Sequence, residues 1–309
     1  MDWSTRLFRT ALLAVANRPA LEAWAVKYGP KLGADRFIAG TTAAEALEQV
    51  ARLNGQGIAA TLDYLGESVL EPDRAEESRQ AYIGLLAAID ERRLDANVSL
   101  KPSQMGLAIR EELALNNIRC IVQEGKRRGL FVRIDMENTP YTDATIRLVR
   151  QLHAEGLANV GAVIQAYLRR SEADVMSLTE AGINLRLVKG AYKEPAALAY
   201  PAMSDVNESL RRLIRMRLDS GVYTAVATHD DAIIDWTCEY AKRRGIASDR
   251  FEFQMLYGIR TPLQQSLARL GYRVRCYVPF GERWYPYFVR RLAERPANLW
   301  FVLKNGMRG

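Results

Sequence analysis

Short apolar runs recur along this chain, and segments with helical periodicity separate them. Each run is short and rich in β-branched or aromatic residues, which favours a strand over a helix. The eight runs span residues 57–65, 96–102, 130–137, 159–168, 184–190, 222–229, 251–256 and 272–280. The segments between them, such as 111–129 and 231–245, are amphipathic and end in basic residues and a glycine, which is typical of a helix C-terminus. Eight strands that alternate with helices predict a (β/α)8 barrel.

Helices are also predicted before the first strand, over residues 3–16, 20–28 and 43–53. We therefore divide the chain into an N-terminal helical region, residues 1–55, and a barrel, residues 56–309. Because no linker rich in proline or serine separates the two parts, we expect a single domain overall.

The stretch NGQGIAA contains a formal match to a dinucleotide-binding fingerprint, formed by Gly55, Gly57 and Ala60. That fingerprint follows a strand and opens a helix, whereas this stretch precedes a strand. It therefore predicts only the turn into the first strand.

The last helical pattern, in YPYFVRRLAERP at residues 285–296, gathers polar side chains on one side. Residues at offsets of 3, 4 and 7 share a helix face. Those residues are Tyr287, Arg290, Arg291 and Glu294. Phe288 and Leu292 form a separate apolar contact, so the helix can pack without its polar face. The pattern alone leaves open whether that face meets solvent, with an internal salt bridge, or a ligand.

Composition narrows the classes of function. With 49% hydrophobic and 26% charged residues, the 309-residue chain is typical of a soluble globular protein. Its 43 Lys+Arg exceed its 36 Asp+Glu, and the net charge of +7 favours anionic partners. We expect no nucleic-acid binding, because the basic residues occur as pairs within amphipathic helices. We also expect at most peripheral membrane contact, because no signal peptide or long apolar run is present.

Cysteine and histidine are sparse, with three widely spaced cysteines and two histidines. This pattern argues against a disulfide framework and against a metal site built from histidine and cysteine. It suits a reducing cytoplasm.

Polar residues stand at the C-terminal ends of the predicted strands, where (β/α)8 barrels carry their active sites. They are Lys101, Asp135, Gln165, Arg186, Lys189, Tyr192, Thr228, His229, Gln254 and Tyr277. Each of them alone can be a structural ion pair or a packing residue. Charged groups near a barrel core are costly unless they are paired, however, so the whole set predicts a polar cavity or a ligand.

Seven motifs in this chain resemble those of proline dehydrogenase, the flavin enzyme that oxidises L-proline to Δ1-pyrroline-5-carboxylate. They are VSLKPSQMG, IDMEN, VIQAYL, LRLVKGAY, ATHD, FEFQMLYG and YVPFGERWYPYFVRRLAERPAN, in order from residue 98 to residue 298. GIAATLDYLGES is similar to the family's first barrel strand and loop, and the length resembles the monofunctional bacterial form. The resemblance implies a distorted (β/α)8 barrel that holds FAD at the C-terminal ends of its strands, with the final helix over the barrel mouth.

The resemblance also implies roles for single residues. The proline pocket would be formed by Lys101, Asp135, Tyr192, Leu256, Tyr277 and Tyr287, with Arg290, Arg291 and Glu294 from the final helix. FAD would contact Gln165, Arg186, Val188, Lys189, Gly190, Ala191, Thr228 and His229. The two adjacent arginines would grip the substrate carboxylate, and Gly190 would let the backbone approach the cofactor closely.

In the implied reaction, the ring carbon next to nitrogen gives a hydride to the flavin N5, and the amine loses a proton. We expect Asp135, paired with Lys101, to tune that proton loss. As a separate hypothesis, we expect Glu67, in the loop after the first strand, to pair with an arginine of the final helix, Arg290 by preference, and to close the pocket over the substrate. The reduced flavin would pass its electrons to membrane quinone, and the product would go to a pyrroline-5-carboxylate dehydrogenase.

Two other classes of function remain open at this point. A Schiff-base lyase could use Lys101 or Lys189 to attack a carbonyl at the barrel mouth. A basic binding module could use the polar helix to bind acidic partners, and strong salt dependence would then be expected.

Overall fold

The computed structural model describes residues 34–66 and 68–294, and its centre is a closed barrel of eight parallel strands. Each strand pairs with the next one in sequence, and the last pairs with the first. The strands are β1 (Ala59–Tyr64), β2 (Ala96–Leu100), β3 (Val132–Ile134), β4 (Val160–Gln165), β5 (Leu185–Val188), β6 (Thr224–Ala227), β7 (Phe251–Leu256) and β8 (Arg273–Phe280). The barrel expected from the apolar runs is confirmed.

Helices follow the strands and surround the barrel. A short 3-10 helix, Ala34–Arg36, comes first among the described residues. The α-helices are α1 (Ala43–Asn54), α2 (Pro72–Glu91), α3 (Glu111–Arg127), α4 (Thr139–Ala154), α5 (Ser171–Glu180), α6 (Met203–Ser220), α7 (Asp231–Arg244), α8 (Thr261–Arg269) and α9 (Tyr285–Glu294). The helix predicted over residues 43–53 is therefore confirmed as α1, whereas those predicted over 3–16 and 20–28 lie outside the described residues.

The main apolar core lies between the barrel and its helices. Successive side chains of a strand point to opposite faces, so alternate residues such as Ala60 and Leu62 of β1 point outward. Both are buried in this core, together with Leu47 and Val50 of α1. Burying each such aliphatic side chain contributes roughly 1.5–3 kcal/mol. Helix α1 thus shares one core with the barrel, and the division at residue 55 does not separate two cores.

The inside of the barrel is unusually polar. Such barrels are usually filled with branched apolar side chains. Here Thr61 of β1 and Ser99 of β2 are hydrogen-bonded at 3.0 Å, and Arg186 of β5 donates to Ser99 at 2.8 Å. Because β5 and β2 are not neighbours, the second bond crosses the barrel interior. Inward positions along several strands are therefore occupied by side chains that hydrogen-bond to one another.

The glycines that imitate a dinucleotide fingerprint lie where α1 turns into β1. Gly55 caps the C-terminus of α1, and Gly57 has a φ of +73°, which a glycine adopts without strain. The stretch is the turn into the first strand, as the sequence predicted.

Helix α9 packs through its apolar side on the segment that precedes α1. Phe288 and Leu292 belong to a second buried cluster with Phe37, and the rings of Phe37 and Phe288 lie 6.1 Å apart. The Ala39 N–H donates to the Pro279 carbonyl at 2.9 Å, which ties the same segment to the end of β8. The expected apolar contact of this helix is therefore present, and it leaves the polar side turned toward the barrel.

Across residues 34–66 and 68–294, no helix has both the length and the apolar character needed to cross a bilayer.

Candidate active site

A cavity of about 610 Å³ lies at the C-terminal ends of the strands. This volume is within the range of roughly 300–1,000 Å³ that is usual for small-molecule sites. The strands and the loops that follow them contribute Lys101, Asp135, Gln165, Arg186, Val188, Lys189, Gly190, Ala191, Tyr192, Thr228, His229, Leu256 and Tyr277, and α9 contributes Tyr287, Arg290 and Arg291. The structure therefore brings together the candidate residues whose side chains it describes. Glu67 and the side chain of Glu294 lie outside the described part of the chain.

The wall of this cavity carries an excess of positive charge. Its cationic side chains in the described residues are Lys101, Arg186, Lys189, Arg290 and Arg291. Its carboxylates, over the same residues, are Asp63, Asp135 and Asp230. Five cations against three anions leave two positive charges, which favour an anionic ligand.

The lysine at the end of β2 pairs with Asp63 of β1. Its Nζ lies 3.2 and 3.0 Å from the two carboxylate oxygens, and the side chains of Lys101 and Asp63 are 9% and 0% exposed. The expected pair of Lys101 with Asp135 is therefore wrong. The reason is competition, because the carboxylate of Asp135 already accepts from an arginine on β5 and a tyrosine on β8.

Asp135, just after β3, is held by hydrogen bonds on both oxygens. Arg186 donates from Nη1 at 2.7 Å, and the Tyr277 hydroxyl donates at 2.8 Å. The Arg186 guanidinium also lies 5.3 Å from the centre of the Tyr277 ring. Burial, followed by the charges of Asp135 and Asp63, raises the pKa of Tyr277 well above its usual value. The phenol therefore stays protonated and remains a donor.

The loop after β5 is fixed against β4 by Gln165 and Tyr167. The Gln165 amide donates to the Glu137 carbonyl at 2.9 Å and accepts from the Ala191 N–H at 3.4 Å. Gly190 has a φ of +122°, and a Cβ at this position would overlap the ring of Tyr167. The glycine is thus required by this ring and by its own backbone angle. The close approach of a cofactor at Gly190, which the family resemblance implies, stays a prediction.

Lys189 forms an ion pair with Asp230 at 2.6 Å. Asp230 also caps α7, because its carboxylate accepts from the Ala232 N–H at 3.0 Å. The hydrogen bond from Lys189 is the largest of the effects that lower the pKa of Asp230. Part of the Lys189 charge is therefore balanced within the protein.

His229 has one ring nitrogen committed to the barrel. The Leu256 N–H donates to its Nε2 at 3.0 Å. A backbone amide can only donate, so this nitrogen accepts, and in the neutral ring the proton resides on Nδ1.

Sequence reasoning missed several residues of the site. Asp63, Tyr167 and Asp230 lie beside the residues that it selected, and Gln254 was noted only as a strand end. The available signal was a charged or amide residue inside an otherwise apolar strand, as in TLDYL and FEFQML. Such a residue is costly to bury without partners, so it points to a hydrogen-bonded interior.

Comparison with known proteins identifies the family. The family model for proline dehydrogenase matches residues 46–304. This chain belongs to the proline dehydrogenase family. Proline dehydrogenase 1 of Bacillus subtilis subsp. natto is 45% identical over 298 residues, which are 96% of this chain and 98% of that protein. Proline dehydrogenase of Deinococcus radiodurans is 44% identical over 308 residues, covering 98% of this chain and 99% of that protein.

A solved structure of the proline dehydrogenase group has the same fold. It is proline utilization A from Bdellovibrio bacteriovorus inactivated by N-propargylglycine, with a TM-score of 0.82 and 25% identity. The match covers 94% of this chain but 36% of that much longer one. Family membership makes this protein an oxidoreductase of proline catabolism, and it disfavours the Schiff-base lyase hypothesis.

Proposed function

We propose that this protein catalyses the FAD-dependent oxidation of L-proline to Δ1-pyrroline-5-carboxylate. The observation that carries the proposal is one cavity in which the paired arginines of α9 face the polar strand ends of the barrel. An amino-acid substrate needs a cationic site for its carboxylate, and a dinucleotide cofactor needs one for its pyrophosphate. The excess of two positive charges suits both.

The residues present fit FAD. The loop after β5 and the end of β6 offer donors and cations at one side of the cavity, and Gly190 and Ala191 present backbone there. We assign the cofactor contacts to Gln165, Arg186, Val188, Lys189, Gly190, Ala191, Thr228 and His229. Arg186 and Lys189 would provide positive charge to the group, although Lys189 shares its charge with Asp230.

The substrate would lie between α9 and the strand ends. Arg290 and Arg291 would bind its carboxylate through charge-assisted hydrogen bonds. The Arg291 guanidinium lies 5.0 Å from the centre of the Tyr287 ring, which holds that side chain at the cavity. Tyr277, Tyr287 and Leu256 offer aromatic and apolar surface for the pyrrolidine ring, and Lys101 and Tyr192 complete the pocket.

Bound FAD would supply the oxidising chemistry, by which the ring carbon next to nitrogen would lose a hydride and the amine would lose a proton. The protein residues orient the substrate for this step. Because both oxygens of Asp135 are engaged, its role in this arrangement is to hold Arg186 and Tyr277 in place. Tyr277, a protonated phenol, would keep its ring against the substrate.

The reduced cofactor needs an electron acceptor, for which we propose membrane quinone reached from a peripheral position in the cytoplasm. The net charge of +7 supports contact with an anionic lipid surface. The product would then pass to a separate pyrroline-5-carboxylate dehydrogenase. Addition of a short-chain quinone to the proline-reduced enzyme should restore the oxidised flavin spectrum, and a flavin that stays reduced would reject this acceptor.

Closure of the pocket by Glu67 and Arg290 remains a prediction. Arg290 lines the cavity, as the pairing requires of it. Charge reversal of either residue should weaken proline binding, and reversal of both together should restore part of it. If the double variant recovers none of the lost affinity, the pairing should be abandoned.

The test of the main proposal is an anaerobic absorbance spectrum of the purified protein before and after L-proline is added, with D-proline as the control. A flavin spectrum that bleaches with L-proline alone would support cofactor, substrate and reaction together. A flavin that stays oxidised would reject proline as the substrate. A protein that takes up no FAD would reject the cofactor.

A further inference from the structure

A chain of hydrogen bonds runs through the barrel interior from β8 to β5, and two of its members, Gln254 and Arg186, line the cavity. Arg275 of β8 donates from Nε to both oxygens of Glu252 on β7, at 2.9 and 3.1 Å. The Gln254 amide nitrogen donates to the same carboxylate at 2.5 Å, and the amide oxygen accepts from Arg186 Nε at 2.5 Å. These four residues are each 3–6% exposed, so water does not replace their bonds.

The amide of Gln254 has only one orientation that satisfies both neighbours. A guanidinium can only donate, and an ionised carboxylate can only accept. The carboxylate of Glu252 is ionised, because Arg275 and its other donors outweigh burial and lower its pKa to about 2. A flipped amide would therefore set donor against donor and acceptor against acceptor. The hydrogen bonds to Glu252 and Arg186 thus fix the direction in which the oxygen of Gln254 points.

That oxygen fixes one edge of the Arg186 guanidinium. Its other two nitrogens donate to Asp135 at 2.7 Å and to Ser99 at 2.8 Å. With its three nitrogens bound to β7, to β2 and to the residue that follows β3, the guanidinium plane is held in one orientation. Arg186, Asp135 and Tyr277 all line the cavity, so the orientation of this plane sets one wall of it.

We propose that Gln254 is a positioning residue, which sets the orientation of Arg186 and, through it, the geometry of Asp135 and Tyr277 at the site. The inference rests on the proposed function, because its effect is felt by the proline and flavin that we place in the cavity. If Gln254 only satisfied buried polar groups, its replacement would lower stability. The reaction rate of the folded protein would then stay unchanged.

The variant Gln254→Met separates these roles, because it keeps the length of the side chain and removes both hydrogen bonds. In the FAD-loaded protein, we expect the rate constant of flavin reduction at saturating L-proline to fall by about 10- to 100-fold, as for other losses of catalytic positioning. The proline concentration for half-maximal rate should change little, because Arg290 and Arg291 are untouched. The flavin reduction potential should become more negative, because the Arg186 charge is no longer held in place.

The matched control is Tyr223→Phe. The Tyr223 hydroxyl donates to Glu252 at 3.0 Å, so this variant also removes one donor from the same carboxylate. It leaves the bond between Gln254 and Arg186 intact, and Tyr223 is not part of the cavity lining. We expect lower stability but an unchanged rate and an unchanged potential.

A double-mutant cycle with Arg186→Lys tests whether Gln254 acts through Arg186. Lysine has no Nε–H, so the partner of the Gln254 oxygen is lost in that background. Gln254→Met should then add less than about a threefold further loss of rate. If the fold-losses of rate in the two single variants multiply fully in the double variant, the proposal is overturned. A Gln254→Met protein whose rate and reduction potential match those of the wild type would also overturn it.

If Gln254→Met does not fold, Gln254→Glu carries the test. A protonated carboxyl at this position can donate to Glu252 and accept from Arg186, as the amide does. When both carboxyl groups are ionised, repulsion from Glu252 pushes the new side chain out of line with Arg186, so this variant should react nearly as fast as the wild type at low pH and lose rate as the pH rises. A rate with the wild-type pH profile would overturn the proposal. A wild-type protein without flavin, or one that L-proline does not bleach, would instead reject the proposed function.

Discussion

The buried pair of Glu252 and Arg275 makes a prediction whose size follows from the structure. Their side chains are 3% and 7% exposed, and Arg275 Nε lies 2.9 Å from Glu252 Oε1. Replacing Glu252 with glutamine leaves the Arg275 charge without its main partner inside the barrel. Breaking a buried pair in this way costs about 3–5 kcal/mol. We therefore expect Glu252→Gln to lower the free energy of unfolding by about 3 kcal/mol at pH 7.

The pH dependence supplies a second route to the same number. Folding lowers the pKa of Glu252 from 4.5 to about 2, because the attraction of Arg275 and the hydrogen bonds outweigh burial. At about 1.4 kcal/mol per pH unit, this difference is worth about 3 kcal/mol. Because the folded pKa is the lower one, the stabilisation is fully present above pH 4.5 and is lost as the pH falls toward 2. The glutamine variant has no such contribution to lose.

The assay is urea unfolding of wild type and Glu252→Gln at pH 7 and at pH 3.5. The difference between them should shrink by about 1 kcal/mol at the lower pH, because the unfolded wild type takes up a proton there. The control is Glu155→Gln, which removes an equally well-formed but more exposed pair. Glu155 accepts from Arg119 at 2.6 and 2.8 Å, and these side chains are 32% and 24% exposed.

The control should lose less than about 1 kcal/mol, because water screens a surface pair. If Glu252→Gln lowers the free energy of unfolding at pH 7 by no more than the control does, burial does not strengthen the contribution of this pair to stability. If its loss is the same at both pH values, the lowered pKa of Glu252 is refuted.

Three further changes test the site itself. Asp63→Asn should lower the free energy of unfolding by about 3 kcal/mol, because it breaks the buried ion pair between Asp63 and Lys101, and a urea titration that shows less than about 1 kcal/mol would contradict this pairing. Gly190→Ala should weaken FAD binding and destabilise the protein by at least about 2 kcal/mol, because the new methyl group meets the Tyr167 ring at a strained backbone angle; unchanged cofactor affinity in a fluorescence titration would show that the loop adapts. Arg291→Lys should raise the proline concentration needed for half-maximal flavin bleaching about tenfold or more, because lysine cannot form two parallel bonds to a carboxylate; an unchanged value would remove Arg291 from the substrate site.

Much of the fold could be read from the sequence, because local chemistry determines it. Strands of three to eight residues with buried outward faces leave short apolar runs, and helices leave amphipathic segments that end at glycine. The common architecture in which eight strands alternate with eight helices is the (β/α)8 barrel. The ends of the elements were less certain: the run predicted over 130–137 contains β3 at Val132–Ile134 alone. Asp135 therefore lies just past the strand, at the mouth of the barrel.

Candidate residues could also be selected from the sequence, because barrel geometry sends the C-terminal ends of all strands to one face and the ordered motifs carry a family resemblance. What the sequence could not select was the partner of each charge. Lys101 has a carboxylate on each side, Asp63 on β1 and Asp135 just after β3, and spacing along the chain does not distinguish them. Arg186 decides the pairing, because it donates a hydrogen bond to Asp135 from across the barrel and Lys101 pairs with Asp63.

By itself, then, the sequence determined the alternation of elements, the family and the set of polar strand ends, since these depend on neighbours along the chain. The tertiary structure alone decided which strands face each other, and so which buried donors meet which acceptors. Gln254 is the clearest case: its sequence context is an apolar strand, and its partners lie 2 residues away in the chain at Glu252 and 68 residues away at Arg186. A hydrogen bond reaches only about 3 Å, so it depends on the closed barrel and not on the order of residues.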